Sequence, residues 1–128
     1  MFDTKEKPRE VEKAFLVAVY SQTAQKAESE SLLTELASLV DTLEIPVVGR
    51  SLVRAQSPNP RYFVGSGKAE EICKQARDLG AEVIVFDNGL SPGQQRNWEA
   101  FSGLAVIDRE EVILDIFARR AQTKEARL

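Results

Sequence analysis

Seven consecutive residues, AFLVAVY from Ala14 to Tyr20, are apolar and rich in β-formers. An unbroken run of that kind predicts a strand covered on both faces, because a strand with one wet face alternates polar and apolar positions. A polar stretch, SQTAQKAESES, then gives way to a different rhythm. Leu32, Leu36, Leu39 and Leu43 recur at helical spacing with Leu33, Ala37 and Val40 beside them, which predicts a helix whose leucine stripe faces a core. IPVVGRSLVRAQ, Ile45 to Gln56, starts with β-branched residues and predicts a second strand. Pro58 and Pro60 exclude helix after it and favour a long extended loop.

The alternation continues through the second half. A helix is expected from about Lys68 to Leu79, stopped by Gly80 as the residue after its C-cap, and EVIVFD (Glu82 to Asp87) reads as the third strand. Ser91-Pro92-Gly93-Gln94 fits a capping box, with Ser91 as N-cap, Pro92 in the first helical position and Gln94 returning to the cap; Gly103 closes that helix. LAVID (Leu104 to Asp108) is the fourth strand. Asp108 and Glu111 repeat the capping pattern before a last helix with Val112, Ile113, Ile116, Phe117 and Ala121 along one side. Strands that alternate with helices imply right-handed crossovers, so the expected fold is α/β: a small sandwich with a mainly parallel, about four-stranded sheet flanked by helices.

Composition narrows the chemistry more than the fold. A chain of 128 residues fits one domain that can bury a core without disulfides or structural metal. With 17 basic and 20 acidic residues the net charge is -3, so no global field draws the chain to nucleic acid or to an anionic membrane. Any such contact needs a local basic patch. There is no histidine and a single cysteine, Cys73, which removes the usual zinc sets, internal disulfides and every His-based acid/base arrangement. Residues 1–13 form a charged leader, and no apolar run approaches the roughly 18 residues that a membrane span needs. A cytoplasmic protein without anchor is the expectation.

YFVGSGKAEE (Tyr62 to Glu71) resembles a phosphate loop in outline, and Gly65, Ser66, Gly67 and Lys68 are its candidate nucleotide-binding residues. In G-x-x-x-x-G-K-[ST], however, the first glycine position falls on Tyr62 and the terminal hydroxyl position on Ala69. G-x-G-x-x-G fails as well, at Glu70, and Glu70 and Glu71 are expected in the first helical turn, where they repel phosphate. A glycine corner with Ser66 as cap is the simpler reading. Asp87 and Asp108 end strands on the edge where α/β proteins bind ligands, although Asp87-Asn88-Gly89 is a strong turn sequence and Asp108 has a capping role. Trp98 is expected in a core or an interface, and Cys73 as a small helix residue without chemistry. No catalytic constellation and no metal site emerge.

Between Arg50 and Arg77, six basic residues (Arg50, Arg54, Arg61, Lys68, Lys74, Arg77) face two acidic ones, and Arg119, Arg120, Lys124 and Arg127 form a second group. Arg50, Arg54, Arg61 and Lys68 with that second group are the candidate RNA contacts, a pattern that permits RNA binding without establishing it.

Three blocks taken together carry a family resemblance. YFVGSGKAEEI, VIVFDNGLSPGQQRNWE and AVIDREEVILDIFARRAQTKEARL, in that order, resemble the N-terminal domain of HflX, a ribosome-associated GTPase, and the likeness runs from about Ala14 to Leu128. The resemblance implies an α/β domain over 14–109, the start of a long antiparallel helical pair over 110–128, and a P-loop GTPase domain that is not in this sequence. It also implies binding to the large ribosomal subunit and its rRNA, contact with the GTPase domain of the same protein, and splitting or rescue of stalled ribosomes. GTP and Mg2+ are the cofactors implied for the full-length family member, and none for this chain. The family is also associated with adenine-nucleotide activity outside its GTPase domain, so an ATP-binding module built on VGSGK is the alternative implied. A helix cut before its partner would leave apolar surface exposed, with self-association as a consequence.

Overall fold

A computed structural model describes residues 13–55 and 63–126, the side chains of 123–126 excepted. Its elements follow in the order β1 (Ala14–Tyr20), a 3-10 turn (Thr23–Gln25), α1 (Lys26–Thr42), β2 (Val47–Arg54), α2 (Ser66–Asp78), β3 (Val83–Phe86), α3 (Pro92–Ser102), β4 (Ala105–Asp108) and α4 (Arg109–Ala126). All three strand pairings are parallel, and the spatial order is β2-β1-β3-β4. The α/β sandwich expected from the alternating pattern is therefore present, with four strands. The loop with Pro58 and Pro60, Arg61, Arg127 and the charged leader up to residue 12 lie outside the described residues.

The central place of β1 follows from its composition. Six of its seven residues are buried, because β2 and β3 flank it while helices cover both faces. Phe15, Val17 and Val19 point to one layer, where α2 contributes Ala69, Ile72, Cys73 and Ala76 and α3 contributes Trp98. Ala14, Leu16 and Ala18 point to the other, against Leu33, Leu36 and Val40 of α1 and Val112 and Ile116 of α4. Each large apolar side chain so buried contributes about 1.5–3 kcal/mol relative to exposure. Period-two alternation thus divides one apolar strand between two cores.

At the edge, β2 is only half buried, which accommodates Arg50 and Ser51. Its register with β1 slips between Ala14 and Phe15, whose partners are Val47 and Gly49. Gly49 sits at this slip because a Cβ there would come within 2.7 Å of Leu79 Cδ1 and 3.0 Å of Phe15 Cε1. The expected limits at Ile45 and Gln56 contract to Val47 and Arg54.

Helix ends match the cap chemistry at α3 and depart from it elsewhere. Ser91 Oγ accepts from Gln94 N at 3.1 Å, Gln94 Oε1 accepts from Ser91 N at 3.0 Å, and Gly103 closes α3 in the left-handed region at φ 74°. Gly80 follows α2 at φ 78° in the same way. At α2 the start is two residues earlier than expected, with Gly65 rather than Ser66 as N-cap and no side-chain cap bond. Glu70 and Glu71 consequently fall in the second turn, and the first turn of α2 holds no acidic residue.

Two helical stripes also need correction. The buried face of α1 is Leu33, Leu36, Val40 and then Leu43, with Leu39 half-buried and Leu32 exposed, so the core side is turned relative to the leucine stripe. Every leucine in that helix is apolar enough for the core, and spacing alone could not choose between two adjacent stripes. On α4, Val112 and Ile116 are core, whereas Phe117 and Ala121 point to solvent.

Candidate functional site

Chain direction and strand order place the candidate site. From β1 the crossover runs through α1 to β2, whereas from β3 it runs through α3 to β4, on the opposite face and in the opposite direction. Between β1 and β3 the order therefore reverses, and in open α/β sheets the crevice outside the carboxyl ends at such a point is where ligands bind. A crevice of about 320 Å³ lies there, with Tyr20, Glu28, Leu32, Phe63, Asp87 and Asn88 in its lining. Phe63 holds a left-handed φ of 73°, a costly conformation for an aromatic residue.

Both aspartates at this edge are engaged. Asp87 Oδ1 accepts from Arg109 Nε at 2.7 Å, and the Asp87 side chain is only 11% exposed. Arg109 continues to Glu35 Oε1 and to the Leu32 carbonyl, each at 2.8 Å, so one guanidinium ties β3 and the start of α4 to α1. Burial works to lower the Arg109 pKa, but the hydrogen bonds and charges of Asp87 and Glu35 outweigh it and the net shift is upward. Asp108 Oδ2 accepts from Leu90 N at 3.0 Å while Oδ1 accepts from Glu111 N at 3.2 Å, so a single carboxylate caps two segments. Glu111 turns instead toward Gln95, whose Nε2 donates to it at 2.8 Å and to the Val106 carbonyl at 2.6 Å.

Asn88 plays the part of a missing strand residue. Its Oδ1 accepts from Val19 N at 2.8 Å and its Nδ2 donates to the Val19 carbonyl at 2.9 Å, which extends the β1–β3 ladder beyond the last residue of β3. Arg109 and Asn88 are the organising residues that pattern reading passed over. Their signal was present only as the Asp-Arg pair at 108–109 and the Asn of the turn at 87–89.

The glycine stretch is assembled but sparsely built. Gly65, Ser66, Gly67 and Lys68 lie together at the start of α2, where unpaired backbone amides and the helix dipole favour anions in general. Lys68 Nζ pairs with Glu71 Oε1 at 3.0 Å on the exposed side of that helix. Neither glycine has a positive φ, and a Cβ at either position would meet nothing within 4 Å. The corner itself therefore does not require glycine.

The candidate RNA contacts separate into two groups. Arg50 and Arg54 are exposed on β2, where Arg50 Nη1 donates to Thr34 Oγ1 at 3.1 Å and Arg54 Nε donates to the Ser21 carbonyl at 3.2 Å. Arg54 and Lys68 share the carboxyl end of the sheet. Arg119 sits at the opposite end, its Nη1 donating to the Leu43 carbonyl that closes α1 at 3.4 Å, and Arg120 is exposed beside it. The side chain of Lys124, together with Arg61 and Arg127, lies outside the described residues.

Trp98 and Cys73 are interior residues. The Trp98 ring meets Phe86 edge to face at 4.9 Å, and burial pushes the Cys73 thiol upward, only partly offset by Arg77. Among the described residues no three His, Cys, Asp or Glu side chains group to hold a metal, and no helix is long and apolar enough to cross a membrane.

Comparison with known proteins gives this geometry its relatives. The family model described as "GTP-binding GTPase N-terminal" matches residues 30–118. A GTPase HflX of Akkermansia muciniphila is 48% identical over 128 residues, which is 100% of this chain and 29% of that protein. Its Escherichia coli counterpart is 42% identical over 117 residues, covering 91% of this chain and 27% of that protein. A crystal structure of a mutation variant of SsGBP aligns with a TM-score of 0.59 at 20% identity, over 84% of this chain and 32% of that one, a likeness of fold. The chain thus spans less than a third of the length of these curated relatives. It belongs to the GTP-binding GTPase N-terminal family, as an HflX N-terminal domain.

Proposed function

We propose that this chain is the binding and regulatory module of an HflX-type GTPase. In the longer protein it docks on the large ribosomal subunit through its basic edge and adjoining helices, and it packs against the GTPase domain so that ribosome contact and nucleotide state are coupled. α4 leads there into a helical pair, the GTPase domain supplies the GTP and Mg2+ chemistry in the cytoplasm, and the whole protein splits or rescues stalled ribosomes. The observation that carries the reading is the 48% identity to a GTPase HflX across all 128 residues. Exposed Arg50, Arg54 and Arg120 support it by offering phosphate contacts in a chain whose net charge is otherwise negative.

On this reading the module has no nucleotide chemistry of its own. Calorimetric titration of the chain with ATP, GTP and their diphosphates in magnesium buffer is expected to give no binding heat. Micromolar ATP binding that disappears in Lys68→Ala would contradict it and make Gly65, Ser66, Gly67 and Lys68 a working phosphate loop.

A further inference from the structure

The outer face of α4 carries the two most exposed large apolar side chains in the described structure, Leu114 at 64% and Phe117 at 60%. On the side of Leu114 away from Phe117 runs a groove of about 310 Å³ lined by Glu111, Leu114, Asp115 and Ala118. One oxygen in it, Asp115 Oδ2, is buried without a hydrogen-bond partner and lies 3.9 Å from Arg119 Nε. Two large apolar side chains exposed side by side on one helix face describe a surface that association can cover.

Charge along the helix identifies that company. The first turns of α4 carry Glu110, Glu111 and Asp115, and the turns after Phe117 carry Arg119 and Arg120. We propose that the 128-residue chain forms a two-fold symmetric dimer in which α4 pairs antiparallel with α4 of a second copy. Leu114 of each chain packs on Phe117 of the other, and exposed Ala118 and Ala121 allow the helices to approach. The acidic first turns, with exposed Glu110, then lie along the basic turn of the second copy, while a parallel pairing would set acid against acid and base against base. Self-complementarity of this kind, in which each half of one surface matches the other half of its copy, is what a two-fold interface requires.

A single helix face is smaller than the roughly 800 Å² per partner of a standard interface, so the dissociation constant should be on the order of ten micromolar. If a second helix pairs with α4 in the longer protein, this face is already covered. The proposal rests on the α4 face alone and is independent of whether the ribosome reading holds.

Sedimentation equilibrium from about 1 to about 500 μM spans the expected transition. The chain should pass from monomer to dimer, and added salt should weaken the association. Leu114→Ser combined with Phe117→Ser should raise the dissociation constant at least about a hundredfold, and Arg120→Glu about tenfold. All three positions are exposed, so far-UV circular dichroism of the variants should match the parent. A chain that stays monomeric throughout overturns the proposal and leaves the face to a segment outside these residues. A dimer whose constant is unchanged in the serine variant overturns it equally, by placing the interface elsewhere.

Discussion

Trp98→Ala is expected to remove about 3–5 kcal/mol of folding stability, the cost of truncating a fully buried indole and leaving its volume empty. The expectation rests on the place of Trp98 in α3. That helix buries only Trp98 and Ser102, so the indole is the one large side chain that anchors it to the sheet. Its edge-to-face contact with Phe86, at 63° between rings, adds about 0.5–1.5 kcal/mol beyond area burial. Loss of the ring would loosen α3 over β3 and β4 together. Trp98→Phe, which keeps an aromatic ring against Phe86, should cost less than half as much. Urea unfolding followed by circular dichroism measures both, and a loss below about 1 kcal/mol for the alanine variant would show that the ring is not packed as described.

Arg109→Met is the second large effect, at about 2–3 kcal/mol. The methionine keeps the stem but leaves the 11% exposed Asp87 carboxylate without its partner and takes one donor from the Leu32 carbonyl. Glu35 is 62% exposed, so its share of the loss is small and Glu35→Gln alone should cost under about 1 kcal/mol. Arg109→Lys should fall between, because an ammonium cannot fork to three acceptors on two elements. The upward shift of the Arg109 pKa fixes the pH dependence. A group whose folded pKa is raised contributes fully below its unfolded value and loses that contribution only as pH rises through the folded one, which for arginine lies above any working range. The difference between parent and Arg109→Met should therefore stay constant from neutral to mildly alkaline pH, as parallel denaturation curves would show. A difference that vanishes by mildly alkaline pH would contradict the assignment.

These two residues also mark how far sequence reading reaches. Trp98 was legible as interior because α3 announces itself through Ser91, Pro92 and Gln94 and has few other apolar residues to bury. The strands were legible because AFLVAVY and VIVF can only be covered on both faces. Arg109 was not, since its three acceptors come from β3 and α1, and contacts separated by 22 to 77 residues leave no local pattern. The same reason hid Asn88, which reads as an ordinary turn residue until Val19 is set beside it. The misplaced stripe of α1 has another cause: neighbouring leucines are degenerate in hydrophobicity, and only the way the helix lies against the sheet and α4 decides which of them are covered. The glycine corner lacks even that basis, since its open surroundings and ordinary backbone explain neither Gly65 nor Gly67.

On the proposed reading docking is the work of this domain, and docking on RNA is salt-dependent because phosphate contacts release counterions. Cosedimentation of the chain with purified large ribosomal subunits at about 50 mM and about 200 mM salt tests this most directly. The predicted result is a complex at low salt that is largely lost at high salt and weakened by Arg50→Glu with Arg54→Glu. Absence of cosedimentation at either salt, for this chain and for the longer protein alike, would contradict the ribosome-binding role.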